Sequence, residues 1–260
     1  MKIGEIELLD VDGQKVDAII SDFLGKESTV IGGVPPDEGR SANGNQYRLD
    51  VDNQRYISVK LAYDSPENIY WELFNSDMRE ILGLPHYKIS LKNDFPLDTW
   101  KGKDYIIIDW GLKDRRFHME KPQVQESLQT NYEALLSQLG QVAAQNYLFT
   151  TADRKKNHFI WDLDDLVLFS IDHELYSPNP HEVTNYFRDE LKRLYDKCWI
   201  DNNKLTKIFS DYFTSIFDRA VDKQEDIVKK YVQHQLSDYS GKFTERISLG
   251  AQSPLQRIMS

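Results

Sequence analysis

Asp153, Asn157, His158 and Asp172 are the residues of this 260-residue sequence whose types and spacing could do chemistry. Two carboxylates joined by an amide or an imidazole can hold a divalent cation and orient a nucleophile for phosphoryl transfer. The stretch that would gather them has two apolar runs, Phe159 to Trp161 and Leu166 to Ile171, separated by the acidic turn Asp162-Leu-Asp-Asp165. Such a pattern predicts a β-hairpin. With the turn centred near Asp164 and Asp165, antiparallel pairing sets Asn157 and His158 across from Ile171 and Asp172, with Asp153 in the loop before the first strand. The same residue types populate solvated turns, so the elements around the hairpin decide its meaning.

Those elements begin with two strands, Gln46 to Val51 and Tyr56 to Ala62, turning around Asp52-Asn53. In the second, Ile57, Val59 and Leu61 point one way and Tyr56, Ser58 and Lys60 the other. Ser65-Pro66-Glu67 then supplies an N-cap, a first-turn proline and a first-turn acid, predicting a helix that ends at Gly83-Leu-Pro85. Glu72 stands among its apolar positions, and Lys60 on the preceding strand is the nearest candidate partner for it. His86 to Lys92 and Asp104 to Asp109 read as further strands, with Asp109 to Lys113 as a connector between lobes. After Pro122 one helix is expected, with Val124, Leu128, Tyr132, Leu135, Leu136, Leu139 and Val142 on its apolar face. From His181 to His234 amphipathic helices dominate, and the last dozen residues lack periodicity. Residues 1 to 30 alternate weakly and read as short strands. The turn-rich Ile31 to Asn45, with four glycines and two prolines, reads as a loop that could approach an anion through its backbone.

Bulk properties narrow the function. Lysine and arginine total 32 against 42 aspartates and glutamates, a formal charge of −10 that argues against general nucleic-acid binding and against an anionic membrane as the working surface. Cys198 is the single cysteine, which excludes an intramolecular disulfide and a cysteine-based zinc site and fits a reducing, cytoplasmic compartment. It sits in a helical-looking stretch where core packing is expected. No membrane span and no signal segment are expected.

Taken in order, the strand lysine, helix glutamate, buried strand, connector, helix, Asp-Arg loop, hairpin and aspartate resemble the protein-kinase-like fold. Within it the chain is most similar to the HipA-like kinases and the phosphatidylinositol 3- and 4-kinases. Those families carry Asp-Arg-x-x-x-Asn in the catalytic loop and Ile-Asp-His or Ile-Asp-Phe beyond it, matched here by Asp153-Arg154 and by Ile171-Asp172-His173, a step of 19 residues between the aspartates. Tyr56 to Lys60, Trp71-Glu-Leu-Phe and Leu82-Gly-Leu-Pro85 resemble the HipA-like first lobe. The resemblance implies an α+β bilobal fold, with a small antiparallel-sheet lobe over residues 1–109 and a mostly helical lobe over 110–260.

It also implies ATP and magnesium, transfer to a hydroxyl, and a protein substrate or partner. Lys60 would contact the nucleotide phosphates, Glu72 would orient Lys60, Asp153 would position or deprotonate the acceptor, and Asp172 would bind magnesium. Gly39, Ser41 and Gly44 would cover the nucleotide, with Asp109 at its edge. One departure stands out: the family's metal-binding asparagine lies five residues after the catalytic aspartate, where this chain has His158, and Asn157 falls one residue early. Either could complete the metal site. A nucleotide-binding pseudokinase, a lipid kinase and a nucleotidyl transferase are the alternatives on the same fold.

Overall fold

The computed structural model describes residues 2–3, 6–7, 10–34, 46–62, 66–96, 102–118, 121–149, 159–170, 179–197 and 202–260. The chain divides into two compact units, one of Met1–Ile69 with Tyr87–Arg116, the other of Tyr70–His86 with Phe117–Ser260.

The first unit is built on a sheet. Strands β1 (Lys2–Ile3) and β2 (Ile6–Glu7) precede helix α1 (Asp10–Leu24), followed by β3 (Val30–Val34), β4 (Gln46–Val51), β5 (Arg55–Leu61), β6 (Ile89–Asn93) and β7 (Asp104–Leu112). Their order is β2-β1-β3-β4-β5-β7-β6, antiparallel apart from the β1–β3 contact. The β4–β5 turn places Asp52 and Asn53 at φ 52° and 55°, the left-handed conformation that a tight hairpin needs and that short polar residues tolerate best. One sheet face buries Leu49, Val51, Ile57, Val59, Leu61, Tyr105 and Ile107 against Val16, Ile20 and Phe23 of α1. This helix corrects the expectation of short strands before residue 30. Its apolar positions recur at four- and three-residue steps, a helical period that interspersed acids disguise. Asp17 ties α1 to the sheet by accepting the Val30 N–H at 2.8 Å.

Two further corrections concern loops. Ile31–Val34 belongs to β3, so the turn-rich stretch starts later than expected. Asp109 to Leu112 continues β7 instead of forming a connector, with Leu112 paired to Arg55 across an irregularity. Gly111 at φ 81° makes that possible; its missing side chain also leaves room for the Arg116 guanidinium.

The second unit is mostly helical. It contains most of α2 (Glu67–Ile81), then α3 (Pro122–Thr130), α4 (Tyr132–Phe149), the hairpin β9 (Phe159–Asp162) and β10 (Val167–Ser170), α5 (Pro180–Lys197), α6 (Asn202–Asp222), α7 (Gln224–Gln233), α8 (Ser240–Leu249) and α9 (Gln252–Met259). Strand β8 (Arg116–His118) joins the hairpin in a sheet ordered β10-β9-β8. Helix α2 ends as expected at Gly83: its φ is 65° and the Leu84 and Gly83 N–H groups close back on Arg79 and Glu80, which satisfies terminal carbonyls.

The single helix expected after Pro122 is two, because Asn131 departs from helical geometry and turns its side-chain amide onto the Ser127 carbonyl at 2.9 Å. The C-terminal residues also fold, as α9, where Leu255 and Ile258 are buried. Around α4 the core collects Phe74, Leu139, Val142, Phe149, Phe187, Phe209, Phe213 and Tyr231. Gly140 lets α6 approach, since a β-carbon there would collide with the Phe209 carbonyl.

Candidate functional site

Lys60 lies on β5, a strand paired on both sides, with Gln46 of β4 and Ile106 of β7 as its neighbours. The apolar face of β5 is taken by the α1 core. The other face is polar. Gln46 donates to Ser58 Oγ at 3.4 Å, Arg48 lies over the Tyr56 ring at 4.4 Å, and Lys113 lies over the same ring at 4.6 Å while paired to Asp50. On this face Lys60 is only 5% exposed. An ammonium withheld from water requires negative or dipolar partners, and the alternation read from the sequence accounts for its place on the polar face.

Asp109 sits in the same unit with its carboxylate engaged: it accepts from Arg55 at 2.7 Å and from the Gly111 N–H at 2.8 Å. This carboxylate thus holds β5 and β7 together at their irregularity. The Tyr105 phenol, in the α1-covered core, is pushed up to about 12 by burial and then by the Asp94 charge.

Glu72 is 6% exposed, on α2 in the helical unit. Neither Lys60 nor Glu72 lacks a polar or electrostatic partner. Trp71, Phe74, Met78 and Leu82 fix the helix in the core, with Phe74 ring to ring against Tyr231 at 4.2 Å and Phe149 at 5.5 Å. Five residues after Glu72, Asp77 accepts from Lys230 of α7 at 2.8 Å and from His234, the residue just past that helix, at 2.9 Å. Burial raises the Asp77 carboxyl, but the two hydrogen bonds and charges outweigh it and hold the group below its ordinary range.

The hairpin is present in the register that the sequence predicts. Val167 pairs with Asp162, Leu168 with Trp161, Phe169 with Ile160 and Ser170 with Phe159. The Asp162 carboxylate is buried and accepts the N–H groups of Asp164 and Asp165, both at 3.1 Å, so this acid builds the turn. The Phe159–Ser170 pair closes the described ladder at the open end. Asp153, Asn157, His158 and Asp172 lie outside the described residues, as do Gly39, Ser41, Gly44 and Cys198. Among the described residues no group of three or more His, Cys, Asp and Glu side chains could hold a metal. No described helix is long and apolar enough to cross a membrane.

Residues that sequence reasoning missed hold this hairpin. Gln138 of α4 donates to the Leu166 carbonyl at 2.6 Å and accepts the Leu168 N–H at 2.5 Å. Arg79 of α2, buried, donates to Gln145 Oε1 at 2.6 Å, to the Leu168 carbonyl at 3.5 Å and to the Pro85 carbonyl. Arg246 of α8 reaches the Leu148 carbonyl at 3.1 Å, near the C-terminus of α4. The available signal was positional: Arg79 stands beside Met78 on the face that buries Phe74 and Leu82, and Gln138 and Gln145 share the face of Leu135 and Val142. Polar residues at core positions of a helix are the ones with a buried partner.

No protein-family model and no curated protein matches the sequence. Among solved structures, the Helicobacter pylori proinflammatory kinase CtkA is similar with a TM-score of 0.51 at 14% identity, covering 86% of this chain and 95% of that one. HipA of Shewanella oneidensis, solved with HipB and operator DNA, gives 0.40 at 11% identity, covering 93% of this chain and 69% of that one. The likeness to CtkA is one of fold: the chain has an α+β, kinase-like architecture, with an antiparallel-sheet unit and a mostly helical unit.

Proposed function

We propose that this chain is an ATP-dependent kinase of the HipA-like type that transfers the γ-phosphate to a hydroxyl of a protein substrate. The observation that carries the reading is Lys60, a buried cation on the polar face of a doubly paired strand within a kinase-like sheet. A lysine held this way contributes charge to phosphate oxygens with little side-chain entropy left to lose. Glu72, also buried, is the group assigned to orient it.

Asp153 is assigned to take the proton of the acceptor hydroxyl as its oxygen bonds to the γ-phosphorus and the bond to the β–γ bridging oxygen breaks, leaving ADP. Asp172 with Asn157 is a hard-oxygen donor set that fits magnesium. Magnesium in such a site neutralises phosphate charge. His158, at the position where the resembling families keep asparagine, supports a second reading: a nucleotide-binding pseudokinase without turnover. An imidazole there favours softer ions and weakens magnesium.

Incubation with γ-labelled and with α-labelled ATP, magnesium and a cell lysate separates the readings. Label passing to protein from the γ position alone is the expected result. Label in the lipid fraction or from the α position redirects the assignment to a lipid kinase or a nucleotidyl transferase. ATP binding without any transfer establishes the pseudokinase.

A further inference from the structure

The geometry points to a second copy of this chain as the partner of β6, added edge to edge so that the sheet continues antiparallel through a two-fold axis at Leu91. This goes beyond the kinase reading and does not depend on it. In the order β2-β1-β3-β4-β5-β7-β6, β6 is the terminal strand among the described residues. The Asp109 N–H donates to the Lys88 carbonyl at 2.9 Å and the Asp94 N–H to the Lys103 carbonyl at 3.3 Å, in the register that pairs Ser90 with Ile107 and Lys92 with Tyr105. The even-numbered residues of β6 therefore direct their backbone groups to β7, and Ile89, Leu91 and Asn93 turn theirs outward. Among the described residues no backbone group takes them.

This edge lacks the usual protection. Charged side chains commonly blunt an edge strand, but Lys92 is turned onto Asp22 of α1 at 2.8 Å and Lys88 lies over the Phe23 ring at 5.0 Å. Both charges thus belong to the face that α1 covers. The opposite face carries Ile89 and Leu91 beside Ile108 and Ile106, and Leu91 is 42% exposed, a large apolar side chain in water next to outward backbone groups.

Charge selects the occupant and its register. A pair aligned on Leu91 sets Ile89 against the second copy's Asn93 and Leu91 against its own copy, each pair exchanging two backbone hydrogen bonds. Ser90 then faces Lys92, and at the strand ends Lys88 faces Asp94, an exposed acid held there by accepting the Gly102 N–H at 2.6 Å. Moving the axis to Ser90 sets Lys88 against Lys92, and moving it to Lys92 sets that lysine against itself. Like charges directly opposed across strands are destabilising. The alignment on Leu91 joins opposite charges and uses every outward group of β6. A five-residue strand makes a small contact, so the pair forms and separates with concentration.

Sedimentation velocity of the full chain over a concentration series tests this, with the parent beside Leu91→Pro and Leu91→Lys. Proline removes the outward Leu91 N–H, which the β6–β7 ladder does not use, and is tolerated on an edge. Lysine puts charge where the two copies of Leu91 would meet. The expected result is a concentration-dependent dimer in the parent, weakened about tenfold or more in both variants with an unchanged thermal transition. Ile89→Cys, Leu91→Cys and Asn93→Cys, each in a Cys198→Ser background, read the register in the folded parent sheet. Leu91→Cys should form a disulfide dimer on oxidation, because it faces its own copy, whereas the other two face each other's positions. A parent chain that is monomeric at every concentration overturns the inference. So does a dimer that survives both Leu91 variants, or one that cross-links through Ile89→Cys or Asn93→Cys in preference to Leu91→Cys. Each of these leaves the kinase reading standing.

Discussion

The two compact units place polar groups by different rules. In the sheet unit, period-two alternation sorts side chains: Leu49 and Val51 of β4 and Ile57, Val59 and Leu61 of β5 enter the α1 core, and the even-numbered residues, Lys60 among them, form a polar face. In the helical unit no such sorting exists, because α4 is covered along most of its length by other elements. There Arg79, Gln145 and Arg246, all buried, and the half-buried Gln138 act as straps from one element to the next. A strand can expose chemistry on a rigid face at little cost, whereas a polar group on a buried helix costs free energy unless it finds a partner.

The comparison is broken most severely at the assigned chemical groups. Asp153→Ala is expected to slow phosphotransfer by roughly 10²- to 10⁴-fold, the range for losing a positioned base, with ATP affinity nearly unchanged. Lys60→Ala should weaken ATP binding itself while leaving the thermal transition near that of the parent. Equilibrium binding beside initial rates separates the two; equal effects of both substitutions on ATP affinity would mean that the division of labour is wrong.

Stability effects come next. Arg79→Met removes two buried hydrogen bonds, to Gln145 and Leu168, and a part-buried one to Pro85, and leaves those acceptors to find others. A loss of about 2–4 kcal/mol is expected in chemical denaturation. Exposed charges such as Lys207, paired to Asp211 one turn away, should cost under ~0.5 kcal/mol when replaced by alanine. Gly140→Ala forces α4 away from the Phe209 carbonyl of α6 and should cost about 1–3 kcal/mol. A neutral result would place the α4–α6 approach elsewhere.

The same contrast explains what the sequence disclosed. The β4–β5 ladder, its Asp52-Asn53 turn and the side of Lys60 follow from alternation, and the hairpin register follows from the position of its turn. Helix α1 was hidden because Asp10, Asp12, Asp17 and Asp22 interrupt a stripe only three apolar residues deep. The break at Asn131 depends on a side-chain bond that competes with the helix and leaves no trace in hydrophobic period. Gln138 and Arg79 look like solvated residues by type. Only their coincidence with core positions marks them, and that coincidence can be read only once the packed face is known. Asn146 of α4 is the exception: it is fully buried, and among the described residues neither its amide nitrogen nor its oxygen has a hydrogen-bond partner.

The smallest effects, in pH, sharpen the comparison by giving each unit its own weakness. Tyr105 titrates near 12 in the folded sheet unit against about 10 when unfolded. A raised value means that its contribution is fully present below about pH 10 and is lost as pH rises through about 12. Asp77 has the opposite sign. Burial opposes its charge, but the hydrogen bonds from His234 and Lys230 prevail and its folded value is lowered. Its contribution is present above the unfolded value of about 3.9 and is lost as pH falls through the lower folded value. Tyr105→Phe should thus flatten only the alkaline limb of a stability profile and Asp77→Asn only the acid limb. Unfolding midpoints measured from pH 3 to 11 check both. If Asp77→Asn changed the alkaline limb, or Tyr105→Phe the acid one, the two groups would be coupled, and the sheet and helical units could not be treated as separately tuned.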